Sequence, residues 1–383
     1  MTKKGKLAFS VIRGTLAILI SLLVAMVLVF ISAEGESFMD KLAATGDALL
    51  NLLIRPLFKS SGQFSSKNFH DILAGMIPTI FTGLAVCVMF SANQFNMGAE
   101  GGTMLGAFVA GMCAVYVPMA AGLHAVFCIL MGAIACGLLM FLPGILKAKL
   151  DVSEMVCTLM LNYVIMYVIK YLMNSHLADK SKGQIQSFPF ASTSALPQLV
   201  NDGSKLSLGF VIAIIFVVIV ALFMFRTRWG YAIRMIGINK DFAKYSGIRV
   251  GSVIVFSQVI GGVLAGLGGG IEMLGRYPTF SWSSLPGYGW TGITIAILAG
   301  NNPIFVPFAA FFMAYLNKGC DLMSVHSGVP SQLIDIIQAV IFLFFAAEQF
   351  LSRYRQKLVV RSTQRELMRA AQEASKKEAV TNE

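Results

Sequence analysis

Charged residues are scarce in this chain of 383 residues. They make up 13% of the sequence, hydrophobic residues make up 56%, and the mean hydropathy is +0.74. An ordinary soluble domain has about 25% charged residues. The composition therefore excludes a soluble globular protein. It predicts an all-α, polytopic membrane helix bundle, because helices satisfy their own backbone hydrogen bonds in lipid.

The chain also lacks the motifs of several functional classes. No G-x-x-x-x-G-K-[ST] sequence is present, so we expect no nucleotide site in this chain. The six cysteines form no C-x-x-C pair, and His124, His176 and His326 are isolated, so we expect neither a disulfide nor a metal site. No Ser/His, His/Glu or paired-Asp arrangement at helical spacing indicates an intramembrane enzyme, and we expect no catalytic residue.

Long apolar runs predict about ten spans of roughly 20 residues each. The predicted spans are residues 13–33, 71–92, 99–119, 122–146, 154–174, 207–226, 251–274, 289–301, 303–318 and 331–351. The pair 289–301 and 303–318 is either two thin spans or one broken, re-entrant element. The first run is too long for a signal peptide, so we expect a retained first helix.

These spans divide the chain into three parts. Residues 1–70 are expected to be an N-terminal helix followed by an outer amphipathic segment, residues 71–351 the core, and residues 352–383 a basic tail. With the N-terminus inside, most of the 30 basic residues fall on the cytoplasmic side, as the positive-inside rule requires. We therefore expect both termini to be cytoplasmic. The outer segments 34–70 and 175–207 are candidate docking surfaces for an external partner.

Glycines cluster within two of the predicted spans. The clusters are Gly98, Gly101, Gly102 and Gly106, and Gly261, Gly262, Gly266, Gly268, Gly269 and Gly270. Small residues let the backbones of membrane helices approach closely, so we expect tight packing at both clusters.

The basic segment 226–250 predicts a short, capped cytoplasmic helix. Asn239 is a good N-cap, Asp241 lies in the first turn, and Gly247 can adopt the left-handed conformation that ends a helix. Such a helix is a candidate contact for a separate ATPase; the alternative is a positively charged loop that only sets topology. The candidate contact residues are Gly237, Asn239, Asp241, Phe242, Ala243, Tyr245, Gly247 and Ile248, with Ala243 expected to allow close approach of the partner.

Four segments resemble motifs of one transporter family. Residues 231–248 (YAIRMIGINKDFAKYSGI) resemble the cytoplasmic loop of permease subunits in branched-chain amino acid, ribose and nucleoside ABC importers. Residues 95–101 (FNMGAEG) resemble that family's Asn-(Ile/Leu)-Gly-x-Glu-Gly motif, although a Gln or Met often follows where Gly102 stands. Residues 153–163 (SEMVCTLMLNY) and 300–303 (GNNP) match the form common in the nucleoside and simple-sugar branch. The loop has Lys-Asp-Phe where the family often has Pro-Glu-Ala.

The resemblance implies a function and a set of partners. The expected protein is the permease subunit of an ATP-driven nucleoside importer, similar to type II ABC importers, in the bacterial cytoplasmic membrane. A separate cytoplasmic ATPase would bind ATP and Mg²⁺, so this chain needs no cofactor. The extra first helix and the segment 34–70 resemble the larger of two sister permeases, which implies a heterodimer and an external substrate-binding lipoprotein.

Two alternatives to a nucleoside importer stay open. The first is a permease for ribose or another simple sugar, since these permeases share the motifs. The second is a gradient-driven secondary transporter, which predicts clusters of intramembrane acids or histidines. Such clusters are thin here, because Glu100 is the one acid well inside a predicted span.

Polar side chains within the spans are candidates for the translocation path. The candidates are Asn93, Phe95, Asn96, Glu100, Asn162 and Asn301. For Glu100 there are two hypotheses: it lines the path, or it accepts backbone hydrogen bonds at a helix break. Asn162 is expected to face the bundle interior. The aromatic residues between 277 and 290 are expected to form an interfacial belt, with stacking on a nucleobase as the alternative.

Overall fold

The computed structural model describes residues 38–59 and 61–327, together with isolated positions between 23 and 30 and at 336 and 339. Most of these residues are helical, and the described part of the chain contains isolated bridges but no β-strand. The predicted spans 13–33 and 331–351 lie almost wholly outside the described residues, as does the tail.

Eleven α-helices are formed within the described ranges. They are α1 Phe38–Leu53, α2 Ser66–Ser91, α3 Ala99–Tyr116, α4 Leu123–Leu150, α5 Glu154–Leu172, α6 Gly209–Arg226, α7 Arg228–Ile238, α8 Lys240–Tyr245, α9 Val250–Arg276, α10 Tyr288–Leu298 and α11 Val306–Ser327. The described residues from 46 to 327 belong to one compact unit. The predicted boundaries at 70/71 and 351/352 stay predictions.

Five of these helices are long and apolar enough to span a membrane: α2, α4, α5, α6 and α9. Helices α10 and α11 pass the same test together, but they are bent by 115° at the break between them. This geometry agrees with the predicted broken or re-entrant element. Five or six spans in the described residues do not confirm the predicted count of ten.

Helix α9 lies at the centre of the bundle and packs against α2, α3 and α4. Glycines make this packing possible. A Cβ added at Gly106 of α3, Gly132 of α4 or Gly266 of α9 would overlap the backbone of another member of the trio. The three helices thus meet with backbone against backbone, as the glycine clusters predict. The six cysteines, all within the described residues, form no disulfide.

Helix α1 forms part of segment 34–70. Its apolar side chains Phe38, Met39 and Leu42 are exposed, as in an amphipathic helix. Its predicted position on the membrane surface stays a prediction.

Two non-helical segments pack together beyond the C-terminal end of α9. Ser187 N donates to Phe280 O at 2.9 Å, and Phe190 N donates to Pro278 O at 2.9 Å. Phe280 is fully buried against Phe108, so its prediction as a belt residue is wrong. Burial follows because these backbone bonds pull residues 278–280 into the bundle. Trp290, in contrast, is exposed.

Candidate functional site

An unwound segment, residues 92–98, connects α2 to α3. Helix α2 ends because Asn93 adopts a left-handed conformation, with φ of 55°, and Gln94 N donates back to Met89 O at 3.1 Å. The following residues Gln94 and Asn96 are buried. Buried backbone without helical hydrogen bonds needs other partners, and in a membrane protein water does not supply them.

Helix α5 supplies those partners from one face. Glu154 Oε1 accepts from Phe95 N at 3.1 Å, and Thr158 Oγ1 accepts from Met97 N at 3.1 Å. Asn162 serves two groups: its Oδ1 accepts from Gly101 N at 2.9 Å and its Nδ2 donates to Met97 O at 3.0 Å. The three side chains are four residues apart and therefore form one row on α5, here named the polar ladder. The two motifs at 95–101 and 153–163 are thus one structural unit.

Neighbouring helices complete this unit. Asn96 Nδ2 donates to Gln258 of α9, and Asn96 Oδ1 accepts from Gly98 N at 2.6 Å. Lys147 at the end of α4 pairs with Glu154 at 3.2 Å and with Asp151 at 3.1 Å. The hydrogen bond and the charge of Lys147 lower the pKa of Asp151 below its usual range. The beginning of the ladder is therefore anchored by an ion-pair bridge.

Glu100 holds the beginning of α10. Its carboxylate is 1% exposed and accepts from Gly287 N at 2.5 Å and Gly289 N at 2.6 Å. A helix N-terminus carries unpaired N–H groups and favours an anion, so this is the structural arrangement that the sequence offered as one hypothesis for Glu100. A Cβ at Gly289 would overlap the Glu100 backbone, which brings α3 and α10 into direct contact. Thr82 of α2 adds a third tie, since Oγ1 donates to Tyr288 O at 2.9 Å.

The predicted path residues have structural contacts in the bundle. Asn96, Glu100 and Asn162 are buried in the hydrogen bonds above. Asn93 ends α2, and Asn301, with φ of 56°, follows the end of α10, so both have backbone roles. Their place in a translocation path stays a prediction.

A polar cavity of about 470 Å³ lies elsewhere, between α2, α9, α10 and α11. Charged side chains line it: Lys318 Nζ lies 2.7 Å from Asp71 Oδ2, and Arg276 Nη1 lies 3.2 Å from Oε1 of Glu272, which is buried behind the wall. Tyr288 Oη donates to the same Glu272 oxygen at 3.2 Å. Sequence reasoning missed this cavity. The sequence signal for the cavity is that Asp71, Arg276 and Lys318 each lie near the end of an apolar run. A single ionisable residue at such a position indicates only an interfacial anchor.

Helix α8 has the predicted capped form. Asn239 Oδ1 accepts from Asp241 N and Phe242 N, both at 3.0 Å. Gly247 has φ of +81°, and Ile248 N donates to Ala243 O at 3.1 Å, which closes the C-terminal end. The side chains of Ile238, Phe242 and Tyr245 are exposed, and Tyr245 is 90% exposed. This is an unusual surface for apolar groups in water, and contiguous patches of this kind mark interaction sites.

The interior side of α8 corrects one expectation. Ala243 is 0% exposed, so it faces this chain's own bundle and cannot be a contact for a partner. Gly237 is also a packing residue, since a Cβ there would overlap the Ser91 carbonyl at the end of α2. The outward-facing side of α8 therefore consists of Phe242, Tyr245 and charged neighbours.

Comparison with known proteins identifies a family and several similar permeases. A family model described as branched-chain amino acid transport system / permease component matches residues 68–346. The glucose ABC transporter permease protein of Haloferax volcanii is 33% identical over 82% of this chain and 86% of its own length. The guanosine ABC transporter permease protein NupP of Bacillus subtilis is 34% identical over 72% of this chain and 80% of its own length. The nucleoside ABC transporter permease protein NupB of Lactococcus lactis is 31% identical over 74% of this chain and 80% of its own length.

Bacillus subtilis and Lactococcus lactis each have a second, more distant relative of this chain. These are the guanosine permease NupQ, at 23% identity, and the nucleoside permease NupC, at 26%. No solved structure matches this chain. The family match begins at residue 68, within α2, and covers α3 to α11 entirely, including the polar ladder, the Glu100 contact and α8. This chain therefore belongs to the family of permease components represented by branched-chain amino acid transport systems.

Proposed function

We propose that this chain is the permease subunit of an ATP-driven importer that carries nucleosides across a bacterial cytoplasmic membrane. Family membership supports the transport role, and the substrates named for NupP and NupB support nucleosides. A simple sugar is the second candidate, because the Haloferax volcanii glucose permease is similar at 33% identity over 82% of this chain.

The observation that carries this proposal is the surface of α8. The helix is short, capped at both ends, and exposes Phe242 and Tyr245 beside Lys240 and Lys244. The chain has no nucleotide-binding motif, so an ATP-driven mechanism requires a separate ATPase that contacts this subunit. Aromatic side chains are typical anchors of protein interfaces, and we assign the outward face of α8 to the ATPase.

This assignment sets the sidedness of the bundle. The end that carries α8 is then cytoplasmic, which agrees with the density of basic residues between 226 and 250. The opposite end, with residues 178–208, faces outward and would meet a substrate-binding lipoprotein. Both termini would be cytoplasmic. The paired relatives of Bacillus subtilis and Lactococcus lactis support a second, related permease as the membrane partner.

Movement of α8 would reach the cavity through two helices. Residues 246–249 connect α8 to α9, which begins at Val250, and α7 contacts the end of α2 where Gly237 meets Ser91. Both α2 and α9 contribute walls to the 470 Å³ cavity, a volume within the range of small-molecule pockets. Closure of the ATPase would therefore change the shape of the space that we propose admits the nucleoside, which is alternating access driven by differential contacts.

Uptake assays test the transport proposal. Cells with and without the gene are given radiolabelled nucleosides, with ribose as competitor. We expect nucleoside uptake that disappears with the gene, resists ribose and stops on ATP depletion. Loss of ribose uptake alone would move the substrate to the sugar branch, and uptake that survives ATP depletion would favour a secondary transporter.

A charge on α8 tests the ATPase contact. Tyr245→Glu places a carboxylate at the exposed face and disturbs no internal contact, whereas a charge at the buried Ala243 would disrupt the fold itself. We expect Tyr245→Glu to abolish uptake with normal membrane abundance and to reduce co-purification of the ATPase. The matched control is Tyr245→Phe, which keeps an aromatic ring at the same exposed position and adds no charge, and which should leave uptake near the wild-type rate. Wild-type uptake by Tyr245→Glu would remove α8 as the contact.

A space-filling substitution tests the cavity. A Cβ at Gly75 would meet only the Ala314 Cβ, at 3.9 Å, so Gly75→Leu extends into the cavity with little strain. We expect uptake to fall while the protein remains abundant. The control is Gly251→Leu, at a similarly open position of α9 that does not line the cavity. Equal uptake by the two variants would mean that the cavity does not admit the solute.

A further inference from the structure

Helix α5 presents a row of tyrosines on the face opposite the polar ladder. Tyr163, Tyr167 and Tyr171 are four residues apart, and 49%, 63% and 65% of their surfaces are exposed. Met160 and Val164 extend the same face. We name these five residues the tyrosine face.

Helix α6 provides the comparison for a surface that faces lipid. In both α5 and α6, 28% of the most apolar 18-residue window is buried, so the two helices are equally open. Before Arg226, at its C-terminal end, the exposed side chains of α6 are aliphatic or Phe. They are Val211, Ile214, Ile215, Val218, Ile219, Leu222 and Phe225. Helix α6 therefore has a surface suited to hydrocarbon, and the tyrosine face differs from it in carrying three hydroxyl groups.

Hydroxyl groups inside a membrane span need hydrogen-bond partners. None of the described residues bonds the hydroxyls of Tyr163, Tyr167 or Tyr171, although Lys170 lies over the Tyr167 ring at 5.8 Å. Tyrosine is common at the two edges of a membrane, where water serves the hydroxyl. Tyr163 and Tyr167 lie in the middle and second half of the 19-residue helix, between Glu154 and Leu172. Contact with another protein satisfies them, because interhelical hydrogen bonds and aromatic packing drive association in membranes.

We propose that the tyrosine face is the surface on which the second permease of the importer packs. The choice of partner rests on the proposed function, and it is supported by the paired permeases of two related bacteria. The partner must present hydrogen-bonding groups to the three hydroxyls and an apolar surface to Met160 and Val164. One helix thereby serves two surfaces, since the opposite face of α5 binds residues 95–101.

Photo-crosslinking in the intact importer tests this surface. The photoreactive p-benzoyl-phenylalanine replaces Tyr167 in one variant and Ile219 of α6 in a matched control, whose native side chain is 49% exposed. Both variants are expressed with the second permease and the ATPase. We expect irradiation of the Tyr167 variant to give an adduct with the combined mass of two different permeases, and the Ile219 variant to give none.

Several outcomes would overturn the proposal. These are no protein adduct at Tyr167, equal adducts from both positions, or an adduct within this chain, for example to residues 331–351, identified by mass spectrometry. An adduct to a second copy of this chain would overturn the choice of partner. The readout uses no substrate, so adduct formation without nucleoside uptake would reject the proposed substrate and leave the interface standing.

A second variant measures what the hydroxyls contribute. Tyr163→Phe, Tyr167→Phe and Tyr171→Phe together remove three oxygens and keep the rings, so the fold is preserved. We expect the affinity for the second permease to fall by about tenfold, given the modest average strength of hydrogen bonds between membrane helices. Co-purification measures the change, with Ile215→Leu and Ile219→Leu on α6 as the control. Unchanged co-purification of the triple variant would contradict a hydrogen-bonded interface.

Discussion

Helices α5 and α6 are equally exposed, yet they differ in where polar side chains occur on their surfaces. Helix α6 has no polar side chain on its exposed face before Arg226, and its buried residues are Gly209, Ala213, Val217, Val220 and Met224. Helix α5 carries Glu154, Thr158 and Asn162 on its buried face and tyrosines on the other. On the buried face of α5, the polar residues lie where the backbone of another segment needs hydrogen-bond partners.

The cost of unmatched polar groups explains the arrangement. A buried donor or acceptor that loses its partner costs about 1–3 kcal/mol, and lipid supplies no replacement. Segment 92–98 leaves helical geometry beside α5, and side chains of α5 bond its backbone. The loss of stability on substitution should therefore differ most between the two helices at the positions where α5 side chains bond the backbone of another segment.

Asn162→Leu is expected to have the largest effect. It leaves Gly101 N and Met97 O without their partner, which costs about 3 kcal/mol or more in the free energy of unfolding. Thermal unfolding of the purified permease measures the loss. Met224→Leu, at an equally buried position of α6, is the control and should change stability by less than about 1.5 kcal/mol. Equal losses of stability in the two variants would mean that the hydrogen bonds of Asn162 contribute no more than the apolar packing of Met224.

Glu100→Gln comes second. The amide keeps one oxygen acceptor, but its NH₂ group then faces a backbone N–H of Gly287 or Gly289, so we expect a loss of roughly 2 kcal/mol. Glu100→Asp keeps the charge with a shorter reach and should fall between Gln and the wild type. Unfolding curves order the three proteins. A Gln variant as stable as the wild type would mean that the carboxylate is not needed to hold α10.

Thr158→Val should cost about 1 kcal/mol. The hydroxyl accepts from Met97 N and donates to the Glu154 carbonyl, and only the first bond leaves a group without a partner. The reverse change on α6, Val217→Thr, should cost less, because a Thr hydroxyl can bond a carbonyl of its own helix. The comparison is measured by thermal unfolding, and a larger cost on α6 would contradict it.

Asp151→Asn is expected to have the smallest effect, and the effect should depend on pH. The pKa of Asp151 is lowered by Lys147, so its contribution to stability is present above the unfolded value of about 3.9 and is lost as the pH falls below it. The wild type should exceed the Asn variant slightly in melting temperature at pH 7 and low salt, and the difference should vanish in acid or at high salt. A difference that persists in both conditions would assign Asp151 a role other than the ion pair.

Local features of this protein were predictable from sequence, and distant contacts were not. Asn239 and Gly247 cap α8 as predicted, because capping depends on residues within one or two turns. The burial of Ala243 was missed, since six residues of helix do not show which face a bundle will cover. Glu100 and Gly287 are 187 residues apart, and no spacing rule connects them.

The candidate path residues show the same limit. Asn162 was expected to face the interior, and it does, but the group that it meets is backbone of segment 95–101. Sequence identifies a costly polar residue without showing what satisfies it. The count of ten spans failed to be confirmed for a related reason, because apolar length does not show whether a helix such as α10 crosses or bends back at Gly300.

The distance between Glu100 and its partner also has a consequence for how the protein is made. The polar ladder can engage segment 95–101 once about 60 further residues have been synthesised, since those bonds join positions 59 and 61 residues apart. Glu100 must wait for 187 residues. At about 5–20 residues per second, the nascent chain holds an uncapped carboxylate for roughly 10–40 s. During that interval Glu100 needs other hydrogen-bond donors, and a chain that ends before Gly287 would leave the carboxylate without the two backbone donors that hold it in the folded protein.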